Sequence, residues 1–343
     1  MEERYFAASN SGRGFVSYFG EIFDPAHFEH IYIIKGGPGT GKSYFMRMIA
    51  EQAEKKGRKV VYYYCSSDQS SLDGITVDGK FAILDGTAPH DTDATIPGAA
   101  EDIIDLGAFW NSSQLSTCRE KIESLNSAKK RHYKRAYSYL AAYHDISDGA
   151  EKTIEPLIDF EKIKKNVSTI MKGISCGEGY RAHIAICDSV GMGGRVRFDS
   201  LARKAKSVYR MSDLFDTAHF YLSEAASFAL KNSLEVTFSY DPINYDRLDA
   251  VYFERDGILF TSRGNDGEKR ISMSRFIHKE GLSELRSVLK KAMKLRDIML
   301  DEAILALEDV KKTHFALEKI YIDAMDFAAK EKFTLDFISR LAL

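Results

Sequence analysis

Cysteine is scarce in this chain: Cys65, Cys118, Cys176 and Cys187 are the only four in 343 residues, far apart and in no CxxC or Cys/His spacing. That excludes a disulfide framework or a zinc knuckle and reads as reduced thiols in a cytoplasmic protein. Long apolar runs are missing too. None approaches the roughly 18 residues of a membrane span, and no apolar export signal opens the sequence, so no membrane role is expected without a partner. Nor does charge of one sign dominate, because 48 Lys and Arg face 50 Asp and Glu for a net charge of -2. Such a balance gives no overall attraction to nucleic acid, which is not an expected partner. What the chain does have is 44% hydrophobic residues, enough for about two ordinary domains with real cores.

The strongest local pattern is IYIIKGGPGTGKSYFMRMIAEQAEKKG, in which Gly36, Gly41, Lys42 and Ser43 fill the spacing Gly-x-x-x-x-Gly-Lys-Ser/Thr of a phosphate loop. Ile31, Tyr32, Ile33 and Ile34 read as a parallel strand covered on both faces. Phe45, Met48, Ile49 and Ala53 then repeat at helical spacing, with Gly57 as the stop. A loop at that junction turns several N–H groups inward, and a Cβ at its tight positions would obstruct an anion. The spacing therefore predicts a nucleotide-binding set of Gly36, Gly37, Pro38, Gly39, Thr40, Gly41, Lys42, Ser43 and Tyr44. Lys42 is expected on the β- and γ-phosphates and the Ser43 hydroxyl on Mg²⁺.

A second apolar run, Phe81, Ala82, Ile83 and Leu84, ends in Asp85 and Gly86. Asp85 is the expected magnesium carboxylate at the carboxyl end of a neighbouring strand, against the plainer reading of an Asp that opens a turn. KVVYYY, from Lys59 to Tyr64, reads as a strand delivering Asp68 to the same edge, where it either orients water or caps a turn. Thr87 and His90 stand in DGTAPH after Asp85, where they either sense the γ-phosphate or serve the loop's structure.

The chain also matches itself. An offset of 177 puts Tyr32 on Tyr209, Thr40 on Thr217 and Tyr44 on Tyr221; an offset of 176 puts Val60 on Val236, Tyr64 on Tyr240, Leu72-Asp73 on Leu248-Asp249 and Ile83 on Leu259; an offset of 167 puts Phe109 on Phe276 and Arg119 on Arg286. The expected architecture is therefore α/β, a duplicated P-loop NTPase fold of parallel sheets flanked by helices. At the posts of Gly36, Gly41, Lys42 and Ser43 the second copy holds Asp213, Ala218, His219 and Phe220, and Thr261 takes that of Asp85. A carboxylate and a bulky ring there, with no lysine, predict a degenerate copy that cannot cradle phosphate.

Each half closes in a helical arm. Cys118, Ile122, Leu125, Tyr133, Ala136, Leu140 and Tyr143 form one apolar stripe, and Leu285, Val288, Leu289, Ala292, Leu295, Met299, Ala303, Leu307 and Val310 another. The cluster Lys129, Lys130, Arg131, Lys134 and Arg135 reads first as a solvated face and second as a group that reaches the triphosphate or nucleic acid. The glycines at 173, 177 and 179 mark the expected boundary, giving a nucleotide-binding domain with its arm over 1–172 and a degenerate one over 173–343.

With the loop, KVVYYYCSSDQSSLDG and ILDGTAPH in view, the sequence resembles an uncharacterised bacterial family of tandem P-loop NTPases, usually called ATPases or nucleotide kinases. The likeness covers RYFAASNSGRGFVSYF, then Ile31 to Trp110, and KRAYSYLAA in the first arm. The family carries a phosphate loop in both halves, and this chain departs from it at Asp213 to Phe220. The resulting expectation is an enzyme that binds ATP and Mg²⁺ and hydrolyses the nucleotide with Lys42, Ser43, Asp85 and Asp68. A small-molecule or nucleotide kinase, and a non-catalytic switch that recruits a protein through its arms, are the rival expectations. No Asn-Lys-x-Asp string speaks for GTP.

Overall fold

The computed structural model describes residues 2–90, 92–264 and 269–341. The first half runs β1 (Glu3–Phe6), the hairpin β2 (Ala8–Ser11) and β3 (Gly14–Ser17), α1 (Phe19–Ile22), β4 (His30–Lys35), α2 (Lys42–Lys55), β5 (Val60–Tyr64), β6 (Leu72–Val77), β7 (Phe81–Asp85), β8 (Glu101–Asp105), α3 (Ser112–Thr117), α4 (Arg119–Ile154) and α5 (Phe160–Ile170). The second runs β9 (Arg181–Ile184), β10 (Asp188–Gly191), β11 (Gly194–Arg197), α6 (Ser200–Lys204), β12 (Ser207–Ser212), α7 (Ala218–Lys231), β13 (Glu235–Tyr240), β14 (Leu248–Phe253), β15 (Ile258–Thr261), β16 (Lys269–Ser272), α8 (Lys279–Asp323) and α9 (Phe327–Arg340).

Two six-stranded sheets repeat one topology, β1-β5-β6-β7-β4-β8 and β9-β13-β14-β15-β12-β16. Neither is wholly parallel. In the first, β6 pairs antiparallel with both β5 and β7, while β7, β4 and β8 are parallel. The LDGITV of β6 carries an Asp and a Gly in its first three residues, which hides it from a search for apolar runs, yet every residue of it is buried.

Ladder register corrects the internal alignment. Gly74 opposes Leu84 as Ala250 opposes Thr261, so Ser262, not Thr261, stands at the post of Asp85. The buried face of α2, with Phe45, Met46, Ile49 and Ala53, is matched in α7 by Tyr221, Leu222, Ala225 and Ala229. The helical offset is thus 176, which puts Ala218 at the post of Lys42 and His219 at that of Ser43.

The arms cross between the units. α4 and α8 pack antiparallel, with Arg135 paired to Asp309 and the Arg296 guanidinium 5.1 Å from the Tyr143 ring centroid. Their apolar stripes meet in a seam of Ala136, Leu140, Tyr143, Ala303, Leu307 and Val310. Each arm then hands its last helix to the opposite sheet. Ile163 and Val167 of α5 are buried with Tyr221 and Phe260 of the second unit, and Phe333 and Phe337 of α9 pack against the core of Phe45, Ile49 and Ile34. The expected division into 1–172 and 173–343 therefore cuts the chain but not the cores, because each core is completed by the other half's terminal helix. Among the described residues no helix is long and apolar enough to cross a membrane.

Candidate functional site

The glycine-rich turn between β4 and α2 adopts backbone that side chains resist. Gly36, Gly39 and Gly41 have φ of 152°, 74° and 80°, where a Cβ is strained. Contact adds to this. A Cβ on Gly39 would lie 2.8 Å from the Glu318 carbonyl oxygen and 2.9 Å from Ile322, and one on Gly37 would meet Tyr321 at 3.0 Å. The carboxyl end of α8 thus backs the turn, so an element of the second half holds the loop of the first. Thr40, fully buried, donates its hydroxyl to the Gly37 carbonyl at 2.8 Å.

Lys42 opens α2 and folds back over the turn. Its ammonium donates to the carbonyls of Gly36 at 2.9 Å and Gly37 at 3.0 Å, and lies 3.5 Å from Asp85 Oδ2. Asp85 ends β7, the parallel neighbour of β4, and its Oδ1 accepts from both the N–H and the hydroxyl of Thr87. Burial raises the Asp85 carboxyl above its ordinary value against the pull of Lys42. Ser43 Oγ accepts from the Leu72 N–H at 3.0 Å. A hydroxyl and a carboxylate are hard oxygen donors that suit Mg²⁺. Among the described residues no three His, Cys, Asp or Glu side chains converge as a metal cage, so a magnesium ion here needs phosphate and water oxygens to fill its shell.

Two expected residues have partners of their own. Asp68 lines the cavity, but Ser70 donates to it from N–H at 3.2 Å and hydroxyl at 2.7 Å, and Ser71 from its hydroxyl at 2.7 Å. Burial works against its charge, but these serine bonds prevail and hold its carboxyl low. It caps its own turn, the plainer of its two expected roles. Tyr44 is 54% exposed and lies outside the cavity lining, with the Lys330 ammonium 4.6 Å from its ring centroid.

Beside Asp85 the His90 of DGTAPH is paired with a buried carboxylate that sequence spacing does not single out. Asp73 on β6 faces His90, Oδ2 to Nε2 at 3.1 Å, with both side chains 5% exposed. The imidazole stacks on Phe19 at 4.3 Å and meets Phe15 edge-on at 5.3 Å. Burial opposes its charge, but the Asp73 carboxylate overcomes that and holds His90 above the ordinary imidazole value. The one signal for Asp73 in the sequence is its repetition as Asp249.

Around these groups opens a cavity of about 1310 Å³, lined by the glycine-rich turn, Asp68, Asp73, Asp85, His90, one face of α4 from Asn126 to Ala141, and His314 to Ile322 of α8. The helical cluster is thus drawn in: Lys129, Lys130 and Lys134 line the cavity. Burial pushes the Lys129 ammonium down. Its counterpart at the 167-residue offset is Arg296, whose Nη1 lies 3.0 Å from Asp216 in the second unit's turn.

That second turn is filled from within. The Asp213 carboxylate, at the post of Gly36, accepts from the Ala218 N–H at 3.0 Å and so occupies the start of α7. Asp216 meets Arg247 at 3.4 Å as well as Arg296, and Arg247 also pairs with Glu151 at 2.5 Å. The space left is about 20 Å³, room for a water and no nucleotide.

A protein-family model described as Nephrocystin 3, N-terminal, matches residues 18–77. The match takes in the glycine-rich turn, α2 and β6 with Asp73, and stops short of Asp85. No curated protein and no solved structure matches the chain.

Proposed function

We propose that this chain is a Mg²⁺-dependent nucleoside triphosphatase of the P-loop kind, acting on ATP, with one working site and one self-filled copy. The observation that carries the reading is the Lys42 ammonium, held 2.9 and 3.0 Å from the carbonyls of Gly36 and Gly37 and 3.5 Å from Asp85. It stands where the β- and γ-phosphates of a nucleotide cradled by the turn's N–H groups would need a cation. Bound magnesium would neutralise developing charge on the phosphates, held by Ser43 and, through water, by Asp85. Asp73, in the cavity beside Asp85, would accept a proton from an attacking water, with His90 fixing its orientation. Lys129 approaches from the arm as a second cation for the terminal phosphate, so its place in the cavity favours function over a merely solvated face.

Calorimetry with Mg²⁺ and the non-hydrolysable analogue AMP-PNP tests the reading. Lys42→Ala is expected to weaken binding by about tenfold to hundredfold, the worth of a charge-assisted contact. Unchanged affinity in that variant, or no binding by the native protein, would end the proposal. Release of labelled phosphate from γ-labelled ATP then separates hydrolysis from a binding-only switch.

A further inference from the structure

The cavity is larger than its nucleotide needs. Pockets for one drug-sized ligand run from about 300 to 1,000 Å³, and this one holds about 1310 Å³. Its wall follows α4 from Asn126 to Ala141, a length of about 22 Å at the helical rise. Lys129 lies near the Lys42 end, under the electrostatic influence of Lys42 itself. Lys134 is set about 7.5 Å farther along the axis, towards the β2–β3 turn, where Arg13 and Phe15 also face the cavity. That turn lies on the side of Asp73 and His90, since Phe15 touches the His90 ring at 5.3 Å. On the nucleotide reading above, a group seated there would face the terminal phosphate.

The cations between Lys129 and that turn are uncompensated. Arg135, one residue on, is paired with Asp309, whereas among the described residues Lys130 and Lys134 form no ion pair and the Arg13 guanidinium has only the Tyr245 ring, 4.9 Å away, for company. Lys130 and Lys134 are also i and i+4 on one helix, where like charges repel. An anion between them relieves that repulsion. Three positive charges exceed what one carboxylate neutralises and more than balance a phosphate dianion, for which lysine is a point-charge partner and arginine a forked one.

We infer that the cavity takes a second ligand together with the nucleotide: a small phosphomonoester, its phosphate held by Arg13, Lys130 and Lys134 and its body resting on Phe15 and Tyr137. The inference rests on the nucleotide reading above, and its test separates the two.

The full chain is saturated with Mg²⁺ and AMP-PNP and titrated calorimetrically with phenyl phosphate, with phenol as the neutral control. Phenyl phosphate is expected to bind and phenol not. Lys130→Ala/Lys134→Ala should weaken phenyl phosphate at least about tenfold, as loss of charged contacts does, while AMP-PNP affinity stays within twofold. Both lysines are exposed, so the variant keeps its fold, and Lys130→Arg/Lys134→Arg should retain binding. The inference is overturned if AMP-PNP binds but phenyl phosphate does not, if phenyl phosphate displaces AMP-PNP, or if the double alanine variant loses AMP-PNP as well. If AMP-PNP itself fails to bind, the nucleotide reading falls and this one with it.

Discussion

Asp159 and Asp326 hold the same post in the two halves. Each accepts at its carboxylate from the N–H three residues on, Lys162 at 3.0 Å and Ala329 at 2.9 Å, and so caps the helix that crosses to the other unit. Each also donates its own N–H at 2.8 Å to a partner 167 residues out of phase, Asp159 to the Phe276 carbonyl and Asp326 to that of Phe109. The isolated bridges Ile158 to Ile277 and Trp110 to Met325 repeat the relation. These two aspartates are the fastenings of a reciprocal exchange of helices.

Removing either cap should therefore act on the unit that receives the helix. Asp159→Ala and Asp326→Ala are each expected to cost about 1 kcal/mol in urea unfolding. The two caps share no partner, so the double variant should show the sum within about 0.5 kcal/mol. A double variant no worse than either single one would mean that the helices are not separately fastened.

A residue near the chain's end should matter for a site near its beginning. Phe337 lies 5.3 Å from the Phe45 ring and 5.1 Å from that of Tyr32, against the strand and helix that flank the glycine-rich turn. Phe337→Ala is expected to cost about 2 kcal/mol, less than a fully buried ring because the side chain is half-buried. AMP-PNP affinity should fall with it. An affinity that held while stability fell would show that the turn is set by its own half alone.

The parts of this molecule that could be read from the sequence are those written in local spacing. The turn, the strand before it, the helix after it and Asp85 follow from residues within one stretch of chain, and the repeat disclosed the second sheet. The rest depends on contacts far apart in sequence. Asp73 sits on a strand whose Asp and Gly disguise it, and it gains meaning only when β6 lies beside β7. Lys129 looks like any helix-surface lysine until α4 crosses the cavity. The helix exchange left no periodic trace, since α5 and α9 are amphipathic wherever they dock. Asp68 stays open to two roles because a carboxylate after a strand serves a turn as readily as a ligand: Ser70 and Ser71 hold it in the turn, and it lines the cavity as well.

The Asp73 and His90 pair predicts a pH dependence with a definite sign. The folded imidazole titrates above its ordinary value of 6.5, so the native state holds the proton more tightly than the unfolded chain. Its stabilisation is complete below about 6.5 and is lost as pH rises through the folded value. The stability difference between the native protein and His90→Gln should accordingly shrink from pH 6 towards pH 9, by at most about 1.4 kcal/mol per pH unit. A difference that stayed level or grew would mean that His90 is neutral in the folded protein.

The second unit's charges make a contrasting case, because there the carboxylates have only protein to answer them. Arg263 bonds Asp241 and lies 3.9 Å from Asp188, while Arg195 reaches Asp188 at 2.8 Å and Asp241 at 3.5 Å. Burial works against Asp241, yet Arg263 and Arg195 hold its carboxyl far below the ordinary range. Arg263→Leu removes the larger of these supports and strands a buried carboxylate, a change that costs about 3 to 5 kcal/mol where one partner of a buried pair is deleted. Adding Asp241→Asn should recover part of that loss, since the stranded charge is then gone. The native protein should also lose stability on acidification below pH 3.8, where Asp241 is still ionised when folded and already protonated when unfolded. If Arg263→Leu instead unfolded at the native urea midpoint, the cluster of Asp188, Asp241, Arg195 and Arg263 would owe its place to packing and not to charge.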